Sequence, residues 1–140
     1  MKTAVLIPCY NEAITIGKVI DDFRKFLPEA DIYVYDNNST DKTLEIARSK
    51  PGVITGIVSE QEKANVILRM FEEIEADAYI MIDGDDTYPV DTIQKMLDYF
   101  NNEKCEMLVG DRLSNIGENL VYRNGVYYHN GNCRSYSLLF

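Results

Sequence analysis

The chain has 140 residues, 46% of them hydrophobic and 26% charged, the proportions of one soluble globular domain with a real core. Its formal charge of -9 argues against a nucleic-acid partner, which selects a basic patch or stripe; it weighs less against anionic lipid, because a local basic cluster can sit at one end. Cys9, Cys105 and Cys133 are odd in number and form no CxxC pair, which points to a reducing, cytoplasmic setting and away from structural zinc.

Taken in order, Ala4 to Ile7 is an aliphatic run predicted to form a first strand that Pro8 ends. The chain enters it after a single Lys, with no signal peptide in view. Cys9 to Glu12 forms the loop into a helix with Ile16, Val19, Ile20, Phe23 and Phe26 at helical spacing, stopped by Pro28. Ile32 to Tyr35 is a second strand closing at Asp36. Asn37 to Asp41 is dense in capping residues and opens a second helix through about Arg48. Pro51-Gly52 is a turn, and Val53 to Val58 a weaker third strand.

Ala64, Ile67, Leu68, Phe71 and Ile74 read as the inner stripe of a third helix. The apolar run Ala78 to Ile82 suits a parallel strand covered on both faces, and it ends in Asp83, Gly84, Asp85 and Asp86. Pro89 precedes a fourth helix with Ile93, Met96, Leu97 and Phe100 facing inward. Met107 to Val109 is a fifth strand, closing at Gly110-Asp111-Arg112. Cys9 and Cys105, in or beside strands, read as small buried fillers. No apolar run is long enough to span a bilayer.

Strands alternating with helices predict an α/β domain with a mostly parallel sheet and helices on both faces. Right-handed crossovers then bring every carboxyl end to one edge, where open sheets bind ligands. That edge collects Tyr10, Asn11, Glu12, Asp36, Asn38, Ser39, Asp83, Asp85, Asp111 and Arg112. Three clustered acids repel one another, and a divalent cation is the simplest offset. Gly84 among them allows a tight turn or the close approach of a ligand. The plainer alternative, a solvated acidic turn opening the next helix, weighs most for Asp86.

Beyond Arg112 the periodicity stops. Residues 113–140 are rich in Asn, Tyr and Gly, and hold the lone His129 with Arg123 and Arg134. The chain divides on this reading into 1–112, a ligand-binding α/β unit, and 113–140, an incomplete segment of the same domain. Ser137-Leu138-Leu139-Phe140 looks like the first turn of something unfinished, as in a fragment or a short member of a longer kind. Apolar surface left open there would favour a homodimer.

Pro8-Cys9-Tyr10-Asn11-Glu12, Asp36 to Thr43 and Asp83-Gly84-Asp85 together resemble the family 2 glycosyltransferases of GT-A fold. Asp83 to Pro89, with Val109 to Ser114, is similar to bacterial members related to dolichyl-phosphate mannose synthase. The likeness covers about residues 3 to 115. It implies a Rossmann-like domain that binds a nucleotide-diphospho sugar (UDP- or GDP-linked) with Mg²⁺ or Mn²⁺ and transfers the sugar with inversion. By carry-over, Pro8, Tyr10, Asn11 and Glu12 flank base and ribose, and Asp36 meets the base. Asn38 and Ser39 share that motif, Ser39 serving equally well as a helix cap. Asp83 and Gly84 lie toward the ribose or metal, and Asp85 ligates the cation.

Lys63 stands where relatives carry a Lys-Gly pair near the diphosphate, though Ala64 follows it here; a solvated helix start is its plain alternative. Thr87 replaces a Gln of the mannose-synthase branch. For a hydroxyl acceptor, Asp111 is the available base. For a polyprenyl phosphate, already ionised, Arg112 matches the acceptor-phosphate position, with Arg123 and Arg134 as helpers. The phosphate acceptor is favoured, and with it peripheral contact with the cytoplasmic membrane face. Two other readings stand beside this one. One is a nucleotide-sugar-binding module without turnover; the other, more remote, is a Mg²⁺-binding receiver-type signalling domain.

Overall fold

The computed structural model describes residues 1–103, 106–109 and 136–139. The elements are β1 (Thr3–Cys9), α1 (Ile16–Phe26), β2 (Asp31–Asp36), α2 (Thr43–Ser49), β3 (Val53–Ile57), α3 (Lys63–Glu73), β4 (Ala78–Met81), α4 (Ile93–Asn102), β5 (Met107–Val109) and β6 (Tyr136–Leu139). A short 3₁₀ turn, Val90–Thr92, leads into α4. The described strands form one sheet in the order β3-β2-β1-β4-β6-β5, and every pairing is parallel.

Alternation along β1 divides the core into two layers. Val5, Ile7 and Cys9 pack with Ile32, Val34 and Ile80 against Ile16, Ile20 and Phe23 of α1 and Ile93, Met96 and Phe100 of α4. Ala4 and Leu6 face the other way, with Tyr33, Tyr35, Tyr79 and Met81, and meet Val66 and Met70 from α3 and Ile74 just beyond it. The sheet is thus covered on both faces, as the strand–helix alternation predicts.

Three expectations change. Pro8 does not end β1: the strand runs on to Cys9, with Pro8 opposite Tyr35 of β2. Toward β4 the ladder stops at Leu6, whose carbonyl accepts the Ile82 amide at 3.1 Å. Backbone groups alternate sides, so the missing N–H of Pro8 points beyond that last bond and costs no ladder contact.

The inner face of α3 is rotated from the predicted stripe. Val66 and Met70 are fully buried, whereas Ala64 is exposed and Leu68 is 60% exposed. Ile67 and Phe71 lie at the margin of the layer and fit both phases, which is why the two stripes look alike in the sequence.

The third change is at the far end of the chain. Tyr136–Leu139 is a strand lying between β4 and β5, where an unfinished first turn is predicted. An apolar run this short carries no period of its own, and the gap between two neighbouring strands decides its conformation. The boundary predicted at residue 112 falls outside the described residues, as do Cys105, Cys133 and His129.

Candidate active site

The carboxyl ends of β1 and β2 are laced together by side chains from the two motifs that follow them. The Asn11 amide donates to Ser39 Oγ at 2.8 Å, and Asn11 Oδ1 accepts the Thr40 amide at 2.8 Å. The Glu12 amide donates to Thr43 Oγ1 at 2.8 Å, and the Ala13 amide to Asp41 at 3.1 Å. Asn11 and Asn38 both adopt positive φ (53° and 61°), a region Asn tolerates better than most residues. Ser39 therefore serves as a tie to the first loop and not as a helix cap. α2 begins later, at Thr43, whose amide donates to Asp41 Oδ1 at 2.9 Å.

Asp36 is only 2% exposed, and its Oδ2 accepts the Ser39 amide at 2.9 Å. Cys9 Sγ lies 3.6 Å from the Tyr35 carbonyl and 4.0 Å from Asp36 Oδ1. Burial, then the charges of Asp36 and Glu12, push this thiol well above its ordinary range, so it is a packed donor and no nucleophile.

Asn37, which the sequence reading passed over, is buried and holds the loop before α3. Its Nδ2 donates to the carbonyls of Val58 (3.0 Å) and Glu60 (2.7 Å), and its Oδ1 accepts the Glu62 amide at 3.2 Å. That loop delivers Lys63, the first residue of α3, to the site. An amide following a buried strand end inside a polar run is the signal for Asn37, but one easily read as a turn residue.

The turn after β4 is gripped by the start of α1. A methyl on Gly84 would run into Glu12 Oε2 and crowd Ile16 Cδ1, so glycine lets the Glu12 carboxyl rest against the turn as it does here. Thr15 Oγ1, from the same loop, donates to the Gly84 carbonyl at 2.6 Å. Among the described residues Glu12 Oε2 is buried without a hydrogen-bond partner of good geometry. Burial, then Asp85 and Asp83, push the Glu12 carboxyl up to about 7; Lys63 and the Gly84 backbone act the other way.

The acids themselves go separate ways. Asp83 pairs with Lys63 Nζ and accepts the Tyr88 hydroxyl at 3.3 Å. Asp85 is exposed, with Oδ1 accepting the Thr87 amide and hydroxyl. Asp86, at φ 60°, turns away to Lys18 of α1 at 2.7 Å and leaves the group.

A cleft of about 150 Å³ lies between these parts, lined among others by Pro8, Tyr10, Glu12, Asn37, Lys63 and Asp83. Asp83 and Asp85 offer the hard oxygens that Mg²⁺ or Mn²⁺ takes. Among the described residues no three His, Cys, Asp or Glu side chains converge to hold a metal by themselves. Such a donor set fits a cation that brings further oxygens with it, as one bound to a diphosphate does. Of the predicted site, Asp111, Arg112, Arg123 and Arg134 lie outside the described residues. Among the described residues no helix is long and apolar enough to cross a membrane.

Comparison with known proteins gives the family and the fold. The model of the family described as Glycosyl transferase family 2 matches residues 4–137. Protein RfbJ of Shigella flexneri is 45% identical over 122 residues, covering 87% of this chain and 93% of that protein. Glycosyltransferase AglJ of Haloferax volcanii is 33% identical over 137 residues, and there the chain spans only 44% of the relative's length. Among solved structures, S. aureus TarS superposes with a TM-score of 0.65 at 20% identity, over 85% of this chain and 38% of that one. Glucosyl-3-phosphoglycerate synthase from Mycobacterium tuberculosis, in complex with Mn²⁺, UDP and glucosyl-3-phosphoglycerate, gives 0.66 at 24% identity, over 78% and 43%. These two share the GT-A architecture. The chain belongs to glycosyl transferase family 2, the glycosyltransferases that draw on nucleotide sugars.

Proposed function

We propose that this chain binds a UDP- or GDP-linked sugar with a divalent cation and transfers the sugar, with inversion, to a polyprenyl phosphate. The observation that carries the donor half is the clamp on the acid turn: Glu12 and Thr15 hold Gly84, and Lys63 meets Asp83, all on one sheet edge. Mn²⁺ and UDP in the synthase structure, and relatives named dolichol-phosphate mannosyltransferase and dolichyl-phosphate hexose transferase, support the metal, the nucleotide and the lipid phosphate.

Each residue then has a physical task. Tyr10, 49% exposed, offers a ring face to the base beside Pro8 and Asn11. Asp36, Asn38 and Ser39 form the nucleoside wall, Asp36 acting through the amide of Ser39 that it holds. Asp83 and Asp85 face the cation, and Lys63 the diphosphate. A divalent cation bound there supplies Lewis-acid stabilisation of the departing nucleoside diphosphate.

The acceptor phosphate, already ionised, attacks the anomeric carbon while the bond to the diphosphate breaks and its electron pair leaves with the diphosphate. No base is required on this route. Arg112, aided by Arg123 and Arg134, orients the acceptor through forked donors; Asp111 becomes the base only if the acceptor is a hydroxyl. A membrane-borne acceptor implies peripheral contact with the cytoplasmic face.

The test is transfer from radiolabelled UDP- and GDP-sugars to a short polyprenyl phosphate in detergent with Mn²⁺. Label in the organic phase, lost in Arg112→Ala while donor binding persists, is the expected result. Donor binding without any transfer would make the chain a nucleotide-sugar-binding module.

A further inference from the structure

Both oxygens of Asp83 are engaged within the chain. Oδ1 holds Lys63 Nζ, and Oδ2 accepts the Tyr88 hydroxyl. The Lys63 bridge crosses the cleft from the first turn of α3 to the end of β4, and both residues line that cleft. Around it stand Glu12 Oε2, buried and without a hydrogen-bond partner among the described residues, and the exposed carboxylate of Asp85. Among the described residues, the Lys63 ammonium therefore offsets these acids.

We propose that Lys63 is an exchangeable counter-ion: it holds Asp83 until a nucleoside diphosphate arrives, then passes to the diphosphate as the divalent cation takes its place. Metal alone is kept out, and metal and nucleotide enter together. This rests on the site being a nucleotide-sugar site, and it goes further by assigning an order of binding. Two features favour exchange. The Lys63 side chain is 55% exposed, and an ion pair so open to water is inexpensive to break. Its backbone is anchored from behind, because Asn37 fixes the loop through Glu62, so a flexible four-carbon stem swings from a fixed base. Bare Mn²⁺ approaching Asp83 meets a like charge; Mn²⁺ bound to a diphosphate brings the anion that draws that charge away.

The test is calorimetry on the full chain, titrating Mn²⁺ without nucleotide and then UDP and GDP in the presence of Mn²⁺. Lys63→Met is expected to move the two in opposite directions. Mn²⁺ alone should bind roughly fivefold more tightly, the scale of one exposed ion pair. The nucleotide should bind about 10- to 100-fold more weakly, the scale of one charge-assisted hydrogen bond. Lys63→Arg should keep both near the starting values. Unchanged or weaker Mn²⁺ binding in Lys63→Met would overturn the counter-ion role, even with nucleotide affinity reduced. If the unaltered chain bound neither nucleotide, the underlying donor-site reading would fall, and a single titration without any variant would show it.

Discussion

The Glu12 carboxyl lies directly on Gly84, so close that a single methyl group at position 84 would collide with Oε2. This contact joins the loop after β1 to the turn after β4, and Thr15 Oγ1 completes the grip on the Gly84 carbonyl. The turn that carries Asp83 and Asp85 is therefore held from the loop before α1 as well as from its own strand.

Gly84→Ala should destabilise the chain by at most about 1–3 kcal/mol, the range for an overpacked contact, because the Glu12 carboxyl ends a flexible side chain that can swing aside. Gly84 is not among the glycines at positive φ, so space alone is at stake. In a Glu12→Ala background the same change should cost much less, because the colliding oxygen is gone. Thermal unfolding of the four proteins of this cycle measures the coupling; additive effects would separate the two residues.

Glu12 should make stability depend on pH. Its carboxyl titrates near 7 when folded and near its ordinary 4.5 when unfolded. Between these values the folded chain retains a proton that the unfolded chain has lost. The contribution is thus complete below about 4.5 and declines as pH rises through about 7. Glu12→Gln keeps a neutral side chain, so its stability relative to the parent should rise across that window by at most about 3 kcal/mol. Chemical denaturation at about pH 5 and about pH 8 reads the difference. A gap that does not change with pH would mean that Glu12 ionises normally.

Asp85→Ala should remove metal-dependent nucleotide binding while shifting the melting temperature little. Its side chain is exposed, and among the described residues its hydrogen bonds go to Thr87, two residues on. Loss of a metal-held diphosphate should weaken nucleotide affinity by about a hundredfold or more, the scale of a charge-assisted contact. Calorimetry with and without Mn²⁺ measures it, and an unchanged affinity would take Asp85 out of the metal site.

The phase of α3 gives a test in the core. Val66→Ala should cost about 1–3 kcal/mol, as buried aliphatic truncations do, and Leu68→Ala within about 0.5 kcal/mol. Urea denaturation compares the two directly; equal costs would restore the stripe predicted from the sequence.

What was legible before the fold was known follows from how local each signal is. The five apolar runs and their helical partners reveal themselves by period; α4 buries the side chains predicted for it, and α1 all but Phe26, which is half-buried at the helix end. In α3 the apolar residues Ala64, Val66, Ile67, Leu68, Met70 and Phe71 cover two faces, and only packing on the Tyr33–Tyr35–Tyr79 layer selects one. Strand β6 was illegible because its conformation comes from its neighbours.

At the site, the acids and the Asn-rich motif announce themselves by residue type. Asn37 and Thr15 do not, since their work is done through carbonyls of distant segments, at Val58, Glu60 and Gly84. Asp86 is already in the sequence the acid most easily read as a solvated turn residue, and the position of Lys18 on α1 draws it away from the other two.

The most direct test of the donor site is isothermal titration of the purified chain with UDP and GDP, each with and without Mn²⁺. The account predicts binding of one of the two that depends on the metal and disappears in Asp85→Ala. Binding of neither nucleotide, or binding indifferent to both Mn²⁺ and Asp85, would contradict it.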